Sequence, residues 1–300
     1  MSKSTLTLNE RRLKRRNIAY KTMGQCFIWL VLILMYIPIM VLIVYSFTKA
    51  TNIGTWTGFS FGLYSDLFTS KTGHEIMVAL GNTVLIAVIS AVLSTLLGTC
   101  GAIGAFYSKR KAKEVIETTT QIPVVNAEIV MALSLTVMFV FIQSYMLGGS
   151  NVFGFWTLLF GHMVLEVPFV YLSVKPKLEQ MDPALYEAAL DLGCTQGQAL
   201  RKATLPEIFP GILSGFMLSI TLSLDDFIVT AFTRGAGLLS GDKNISTLST
   251  LVQEKIKKGP IPPEMRALTT LIFVVVLLIA IGITIYRNRT VKKVRKGREG

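Results

Sequence analysis

The chain has 300 residues, of which 51% are hydrophobic and only 16% are charged. A soluble domain carries roughly 25% charged residues, so this composition excludes an ordinary soluble enzyme. The formal net charge of +12 would suit a nucleic-acid-binding protein. However, the basic residues lie outside the long apolar runs, and the sequence therefore predicts an integral membrane protein.

Long runs without a charged residue predict the membrane spans, because a bilayer core needs roughly 17–25 apolar residues per helix. Uncharged runs cover residues 22–48, 76–108, 129–165 and 267–286. The third run is long enough for parts of two helices, and a Gly-Gly-Ser-Asn turn at 148–151 divides it. A further span follows Pro206. We predict an all-α protein with six transmembrane helices, near residues 26–47, 79–107, 120–145, 153–174, 206–232 and 267–286.

The positions of lysine and arginine predict the orientation in the membrane. Six spans place both ends of the chain, residues 109–113 and residues 175–202 on one side, and most basic residues lie there. Both termini are therefore expected in the cytoplasm. The uncharged stretch of the first span is too long for the roughly 7–15-residue core of a signal peptide, so we expect it to remain as an anchor. The predicted parts are a basic cytoplasmic tail (1–25), a first transmembrane helix (26–47), a membrane domain (76–286) and a second basic cytoplasmic tail (287–300).

The cytoplasmic loop before the fifth span carries clear helix signals. Asp182-Pro183 is typical of a helix start, with the aspartate as N-cap and the proline at the first helical position. This helix is expected to stop at Gly193. Thr195 and Gln198 have the spacing of a capping box, which predicts a second short helix. We expect that helix to end at Leu205-Pro206, where the next span opens.

Two short helices with a glycine corner also resemble a helix-turn-helix DNA reader. Such a reader needs a basic recognition face, whereas the second helix here offers only Arg201 and Lys202. The loop is also tethered to the membrane at both ends. A plain structural connector is the other alternative, but it leaves the compactness of the corner unexplained. Nucleic acid is not expected as a partner.

Glu187-Ala188-Ala189, Gly193 and Leu205-Pro206 resemble the EAA loop of ABC importer permeases. This resemblance implies the type-1 permease fold and a coupling loop at 182–205 that docks on a separate ATPase subunit. Alanines permit a close approach, glycine permits a sharp turn, and Glu187 is expected to fix the loop by hydrogen bonding. The candidate coupling residues are Glu187, Ala188, Ala189, Gly193, Leu205 and Pro206.

A narrower resemblance follows in residues 221–235 and 266–269, which are similar to the second permease subunit of spermidine/putrescine importers. The resemblance implies a prokaryotic plasma-membrane protein that transports polyamines and is not itself an enzyme. It also implies four kinds of partner: a homologous second permease subunit, two ATPase subunits, an extracytoplasmic solute-binding protein and membrane lipid. A permease for another small solute of the same superfamily remains an alternative.

Carboxylates inside the predicted spans are candidates for the substrate path, because a charge at mid-membrane costs roughly 2.5–3.5 kcal/mol and needs a cavity or a partner. These candidates are Glu128, Glu166, Asp225 and Asp226. Adjacent helical residues point about 100° apart, so only one of the two aspartates is expected to line the path. His162 and Glu166 lie one helical turn apart and are expected to form a hydrogen-bonded pair.

Several classes of site are not expected in this sequence. Two histidines and three scattered cysteines predict no metal site and no disulfide framework, and no cofactor is expected. The chain has no G-x-x-x-x-G-K-[ST] segment, so ATP must be hydrolysed by a partner if it is used. A proton-coupled secondary transporter that uses the buried carboxylates as a relay is the remaining alternative.

Overall fold

The computed structural model describes residues 8–50, 54–146, 148, 152–234 and 245–296, with the backbone alone at 8–19, 279–280, 283–284 and 286–296. Every regular element in these ranges is a helix. The helices are α1 (Leu8–Ser46), α2 (Gly62–Thr69), α3 (Lys71–Phe106), α4 (Arg110–Val125), α5 (Glu128–Tyr145), α6 (Phe155–Gln180), α7 (Pro183–Asp191), α8 (Gln196–Ala199), α9 (Leu205–Asp225), α10 (Ile228–Thr233), α11 (Leu248–Lys258) and α12 (Glu264–Lys296).

The chain divides into two compact units, one formed by Met1–His74 with Pro260–Gly300 and the other by Glu75–Gly259. In the first unit, α12 packs against both α1 and α2. In the second unit, α6 is the central helix and packs against α4, α5, α9 and α10. The second unit contains all the predicted site residues.

Five helical segments in the described part of the chain are long and apolar enough to cross a membrane. They are Tyr20–Ser46, Lys71–Phe106, Glu128–Tyr145, Phe155–Gln180 and Gln196–Asp225. They overlap the first five predicted spans, which confirms the all-α membrane fold. The sixth predicted span, 267–286, falls within α12, whose side chains are only partly described. The count of six, the cytoplasmic termini and the predicted part boundaries stay predictions.

The third predicted span, 120–145, is not one helix. α4 ends at Val125 and α5 begins at Glu128, with Asn126 and Ala127 both in extended conformation. Pro123 lacks the N–H that would continue the helical ladder, and asparagine favours local hydrogen bonds over the helix interior. The charged helix α4 is therefore separate from the apolar span α5.

The fifth predicted span, 206–232, differs at both ends. The second helix of the 182–205 loop does not stop at Leu205-Pro206. It runs through a single π-helical turn, Leu200–Thr204, directly into α9. The amide of Leu205 donates to the carbonyl of Leu200, and this wide turn accommodates the ring of Pro206 that would clash in a regular helix. At the other end, α9 stops at Asp225 and the short helix α10 follows.

Close packing of α3, α6 and α9 fixes the interior of the second unit. A Cβ atom at Gly98 of α3 would lie 2.7 Å from the Cβ of Val170 on α6. A Cβ atom at Gly215 of α9 would lie 3.2 Å from the Cα of the same valine. Small residues let membrane helices approach closely, because packing and hydrogen bonds drive their association in lipid. The three helices therefore hold the polar residues described below in a tight interior.

The predicted orientation can be tested with a matched pair of lysine replacements. Lys111 on α4 and Lys257 on α11 are both exposed, and the predicted topology places them in the cytoplasm and outside, respectively. In a variant whose native cysteines are serines, we expect an impermeant thiol reagent to label Lys257→Cys in intact cells. Lys111→Cys is expected to react only after permeabilisation, and its labelling in intact cells would overturn the orientation.

Candidate functional site

Two of the four candidate path carboxylates meet in the interior of the second unit. Glu166 on α6 is fully buried, and Asp226 is 7% exposed. His162 lies between them, with Nδ1 3.9 Å from Glu166 Oε1 and Nε2 3.7 Å from Asp226 Oδ2. Burying carboxylates is costly unless they are hydrogen-bonded or paired. Hydroxyl and amide groups satisfy Asp226 and Oε1 of Glu166, whereas Oε2 of Glu166 has no hydrogen-bond partner among the described residues.

Hydroxyl groups supply the direct hydrogen bonds of this buried cluster. Ser90 on α3 donates to Glu166 Oε1 at 2.7 Å. Ser223 on α9 lies 2.8 Å from His162 Nδ1, and Thr230 on α10 lies 2.9 Å from His162 Nε2. The expected contact between His162 and Glu166 is therefore formed, but the prediction of a direct hydrogen bond was wrong. The helix spacing places the two side chains 3.9 Å apart, where hydroxyl groups take the hydrogen bonds.

Asp226 fixes the break between α9 and α10. Its Oδ1 accepts the backbone N–H of Val229 at 3.2 Å, and its Oδ2 accepts that of Thr230 at 2.7 Å. The hydroxyl of Thr230 also donates to Oδ2, at 2.8 Å. An aspartate that bonds the first amides of the next helix satisfies donors that have no partner within that helix. Asp226 therefore has a clear structural role.

Asp225 and Glu128 are not part of the buried cluster. Asp225 is the last residue of α9 and is exposed, although it is adjacent to the buried Asp226. Glu128 is exposed in the first turn of α5. Its predicted place two to three turns inside the third span was wrong, because α5 begins at this residue. A carboxylate at a helix N-terminus is stabilised by the helix dipole.

α9 has two distinct faces. Gly211, Gly215, Ser219 and Ser223 recur every four residues and are buried. A second set of residues, spaced three or four apart along α9, is exposed: Ser214, Leu218, Thr221 and Asp225. We call these four residues the α9 outer stripe. The hydroxyls of Ser214 and Thr221 donate to carbonyls one turn earlier but keep free acceptor sites. Two hydroxyls and a carboxylate are costly to place against lipid.

Ser90, Ser223 and Thr230 were not predicted as site residues. Each is a small hydroxyl residue in an apolar helix, and on its own such a residue carries no chemical signature. The available signal was the spacing of hydroxyl pairs one helical turn apart, Ser90 with Ser94 on α3 and Ser219 with Ser223 on α9. All four residues are buried, but only Ser90 and Ser223 form hydrogen bonds within the cluster, and the hydroxyls of Ser94 and Ser219 have no partner among the described residues.

The 182–205 loop folds as two short helices around a glycine corner, as predicted. Asp182 Oδ1 accepts the amide of Ala184 at 3.0 Å, which caps α7. Gly193 has φ +83°, a left-handed conformation that L side chains rarely adopt. Thr195 and Gln198 form the capping box of α8, with hydrogen bonds of 3.1 and 3.4 Å. These local interactions hold the corner in one geometry.

α7 presents an apolar edge outward and is attached to α3 by an aromatic contact. Leu185 is 45% and Leu192 is 86% exposed, and Ala188 between them is also exposed. Ala189 is half-buried. The ring of Tyr186 lies 5.2 Å from that of Tyr107, just beyond the end of α3. Such an exposed apolar edge on a short polar loop is typical of a docking surface.

The expected hydrogen bond of Glu187 within the loop is not present in the described part of the chain. Its carboxylate is exposed on α7 and makes no hydrogen bond or ion pair with another described side chain. Leu205 is half-buried and Pro206 is exposed at the start of α9. The candidate coupling residues therefore lie on α7, at the corner and at the π-helical turn that joins the loop to α9.

Residues 98–296, more than half of the chain, match the model of the binding-protein-dependent transport system inner membrane component. The chain belongs to this family. It is therefore a multi-pass permease subunit of the prokaryotic plasma membrane, and it is not the catalytic subunit of its transporter. The DNA-binding and proton-coupled alternatives have no support from this assignment.

Named relatives are similar along most of the permease. It is 32% identical over 255 residues to the spermidine/putrescine transport system permease protein PotC of Haemophilus influenzae, covering 85% of the chain and 92% of the relative. PotC of Escherichia coli K12 is 34% identical over 248 residues, with 83% and 87% covered. The putrescine transport system permease protein PotI of the same strain is 30% identical over 239 residues, with 79% and 81% covered.

Solved structures share the permease fold. A bacterial ABC transporter involved in the import of the acidic polysaccharide alginate superposes with a TM-score of 0.67 at 19% identity, covering 91% of this chain and 95% of that chain. The same kind of transporter, bound to a periplasmic protein that carries an alginate pentasaccharide, superposes with a TM-score of 0.66 at 20% identity. At this identity the likeness establishes the fold.

Proposed function

We propose that this permease imports spermidine or putrescine as one of two homologous permease subunits, together with two ATPase subunits and an extracytoplasmic binding protein. The observation that carries the proposal is the exposed carboxylate of Asp225 at the end of the α9 outer stripe. A polycationic amine in a low-dielectric path needs negative charge to offset its desolvation. The similarity to PotC and PotI supports the same solute class.

The α9 outer stripe is the proposed wall of the path. Ser214, Thr221 and Asp225 offer oxygen atoms on one face, and none of the residues between Ser214 and Asp225 is basic. Oxygen acceptors suit an ammonium group, which donates hydrogen bonds and accepts none. One permease subunit encloses little space by itself, so we infer that the second subunit provides the opposite wall.

The proposed roles of the other predicted path residues differ from that of Asp225. Glu166 and Asp226 are buried and act on the path through the geometry of α6, α9 and α10. Glu128 begins α5 at the proposed cytoplasmic end, where an exposed carboxylate would meet the amine as it leaves. The path therefore has one carboxylate near each proposed end.

The 182–205 loop is the proposed contact with the ATPase subunits. Leu185, Ala188 and Leu192 form its exposed apolar edge, and Glu187 is free to bond with a partner group. The loop continues through the π-helical turn into α9, so a displacement of the loop reaches the helix that carries Asp225. We infer that ATP-driven closure moves α9 in this way.

Uptake by the purified complex tests the proposal. The permease, isolated from native membranes with its bound partners, is reconstituted into proteoliposomes and supplied with its binding protein and ATP. We expect saturable, ATP-dependent accumulation of labelled spermidine or putrescine, without accumulation of labelled amino acids or sugars. Accumulation of a neutral solute in preference to both amines would contradict the assignment.

A further inference from the structure

A series of close polar contacts links the two buried carboxylates. It runs from Glu166 through Ser90, Ser223, His162 and Thr230 to Asp226, and we call it the imidazole–hydroxyl chain. The successive contacts are 2.7, 3.3, 2.8, 2.9 and 2.8 Å. The chain crosses four helices, α3, α9, α6 and α10. It therefore ties the break after Asp225 to the core of the second unit.

Counting protons along the chain assigns the tautomer of His162. The hydroxyl of Thr230 donates its single proton to Asp226 Oδ2, so it can only accept at its 2.9 Å contact with His162 Nε2. The proton in that contact belongs to Nε2. The neutral ring then accepts at Nδ1, and Ser223 donates to it. Ser90 donates to Glu166, so no hydroxyl proton is left for the 3.3 Å contact between Ser90 and Ser223, and the hydrogen bonds run without a break only from Ser223 to Asp226.

The orientation of Asp226 depends on this arrangement. Its Oδ2 receives both the amide and the hydroxyl of Thr230, and the hydroxyl is held in turn by His162. Ser249 near the start of α11 donates to the backbone carbonyl of Asp226 at 2.9 Å. The backbone of Asp226 is thus fixed from two sides. Because Asp225 is the preceding residue, the direction of its Cα–Cβ bond is fixed with it.

We propose that His162 and Thr230 are positioning residues for Asp225: through Asp226 they hold the end of α9 so that the Asp225 carboxylate faces the amine path. This inference rests on the proposed function, because it requires Asp225 to contact the substrate. His162 and Thr230 act on the amine only through the aspartates. Both are buried, at 1% and 0% exposure, so neither touches a solute in this conformation.

A double-mutant cycle on the reconstituted complex tests the inference. Thr230→Val keeps the shape of the side chain and removes its hydroxyl, and we expect it to raise the KM for spermidine roughly tenfold, the loss of one hydrogen bond to a charged group. Thr230→Ser keeps the hydroxyl and is expected to stay within about twofold of the wild type. In the Asp225→Asn background, Thr230→Val should raise the KM no further, because the group that it positions is already neutral.

The outcomes separate this inference from the proposed function. If Asp225→Asn leaves the KM unchanged, the proposed path is wrong whatever Thr230 does. If Asp225→Asn raises the KM but Thr230→Val does not, or if the two effects multiply in the double variant, the positioning role is wrong and the path stands. A general loss of packing would give KM increases that multiply in the double variant, because it does not act through Asp225.

A second pair of variants decides the question if Thr230→Val prevents assembly. The amide nitrogen of His162→Gln reaches the place of Nε2 and can donate to Thr230, whereas the shorter amide of His162→Asn reaches only the place of Nδ1. We expect His162→Gln to keep the KM within about threefold of the wild type and His162→Asn to raise it roughly tenfold. Equal KM values in the two variants would overturn the inference.

Discussion

Replacement of Gly193 by valine is expected to abolish coupling between ATP hydrolysis and transport while the permease remains in the membrane. Gly193 has φ +83° at the corner between α7 and α8, and a β-branched residue is strained there by about 2 kcal/mol. That cost lowers the equilibrium constant for forming the corner roughly 30-fold. In the reconstituted complex, substrate-stimulated ATP hydrolysis and amine uptake should fall together by at least tenfold.

The surroundings of Gly193 make this experiment specific to the backbone. A Cβ atom there would meet no atom within 4 Å, so a larger side chain causes no collision within the chain. Gly193→Asn is the matched control, because asparagine tolerates the left-handed conformation. It should retain most of the coupled activity. Normal stimulated hydrolysis in Gly193→Val would show that the corner is not needed for coupling.

The coupling loop could be predicted from the sequence because its signals are local. The Asp182 cap, the Gly193 corner and the Thr195 capping box each depend on residues within four positions of one another. Such short-range interactions compete only with other local conformations. The same reasoning failed at Leu205-Pro206, because a π-helical turn absorbs the proline and lets the helix continue.

The buried cluster could be predicted only in part. Glu166 and Asp226 were predicted because they are charged residues within apolar runs. The spacing of one helical turn predicted that His162 lies near Glu166. The hydroxyl partners come from α3, α9 and α10 and lie 61 to 76 residues in sequence from the α6 side chains that they contact. Their approach depends on how α3, α6 and α9 pack, and the spacing of residues along the chain does not predict that packing. The break after Asp225 was missed for a related reason, since Asp226 leaves the helix to bond with α10.

Replacing Asp225 by asparagine is expected to weaken amine uptake without harming assembly. The side chain is exposed, so the change removes a charge and leaves packing intact. The attraction between an ammonium group and a carboxylate about 4 Å apart is roughly 1 kcal/mol in water and about 4 kcal/mol near a protein surface. The KM for spermidine should therefore rise at least fivefold. Raised salt should increase the KM of the wild type more than that of Asp225→Asn, because salt screens exposed charges.

Asp226→Asn is the matched replacement at the adjacent residue, and its expected effect is of another kind. Both carboxylate oxygens of Asp226 accept backbone amides, whereas an asparagine has one oxygen and one NH2 group. One amide of α10 then faces a donor in a buried place, at a cost of about 1–3 kcal/mol. The thermal stability and yield of the complex should fall, and the KM of the assembled fraction should also rise, because Asp225 loses the position that Asp226 gives it.

The comparison of the two variants decides which aspartate serves the path. Uptake kinetics and complex yield are measured on the same preparations, so that a loss of protein is not mistaken for a loss of affinity. A raised KM in Asp225→Asn with a lowered yield in Asp226→Asn would assign charge to the first residue and structure to the second. A raised KM in Asp226→Asn with a lowered yield in Asp225→Asn would mean that α9 and α10 rearrange during transport and expose Asp226. Unchanged uptake in both variants would remove the electrostatic argument and leave the polyamine assignment on the similarity to PotC and PotI.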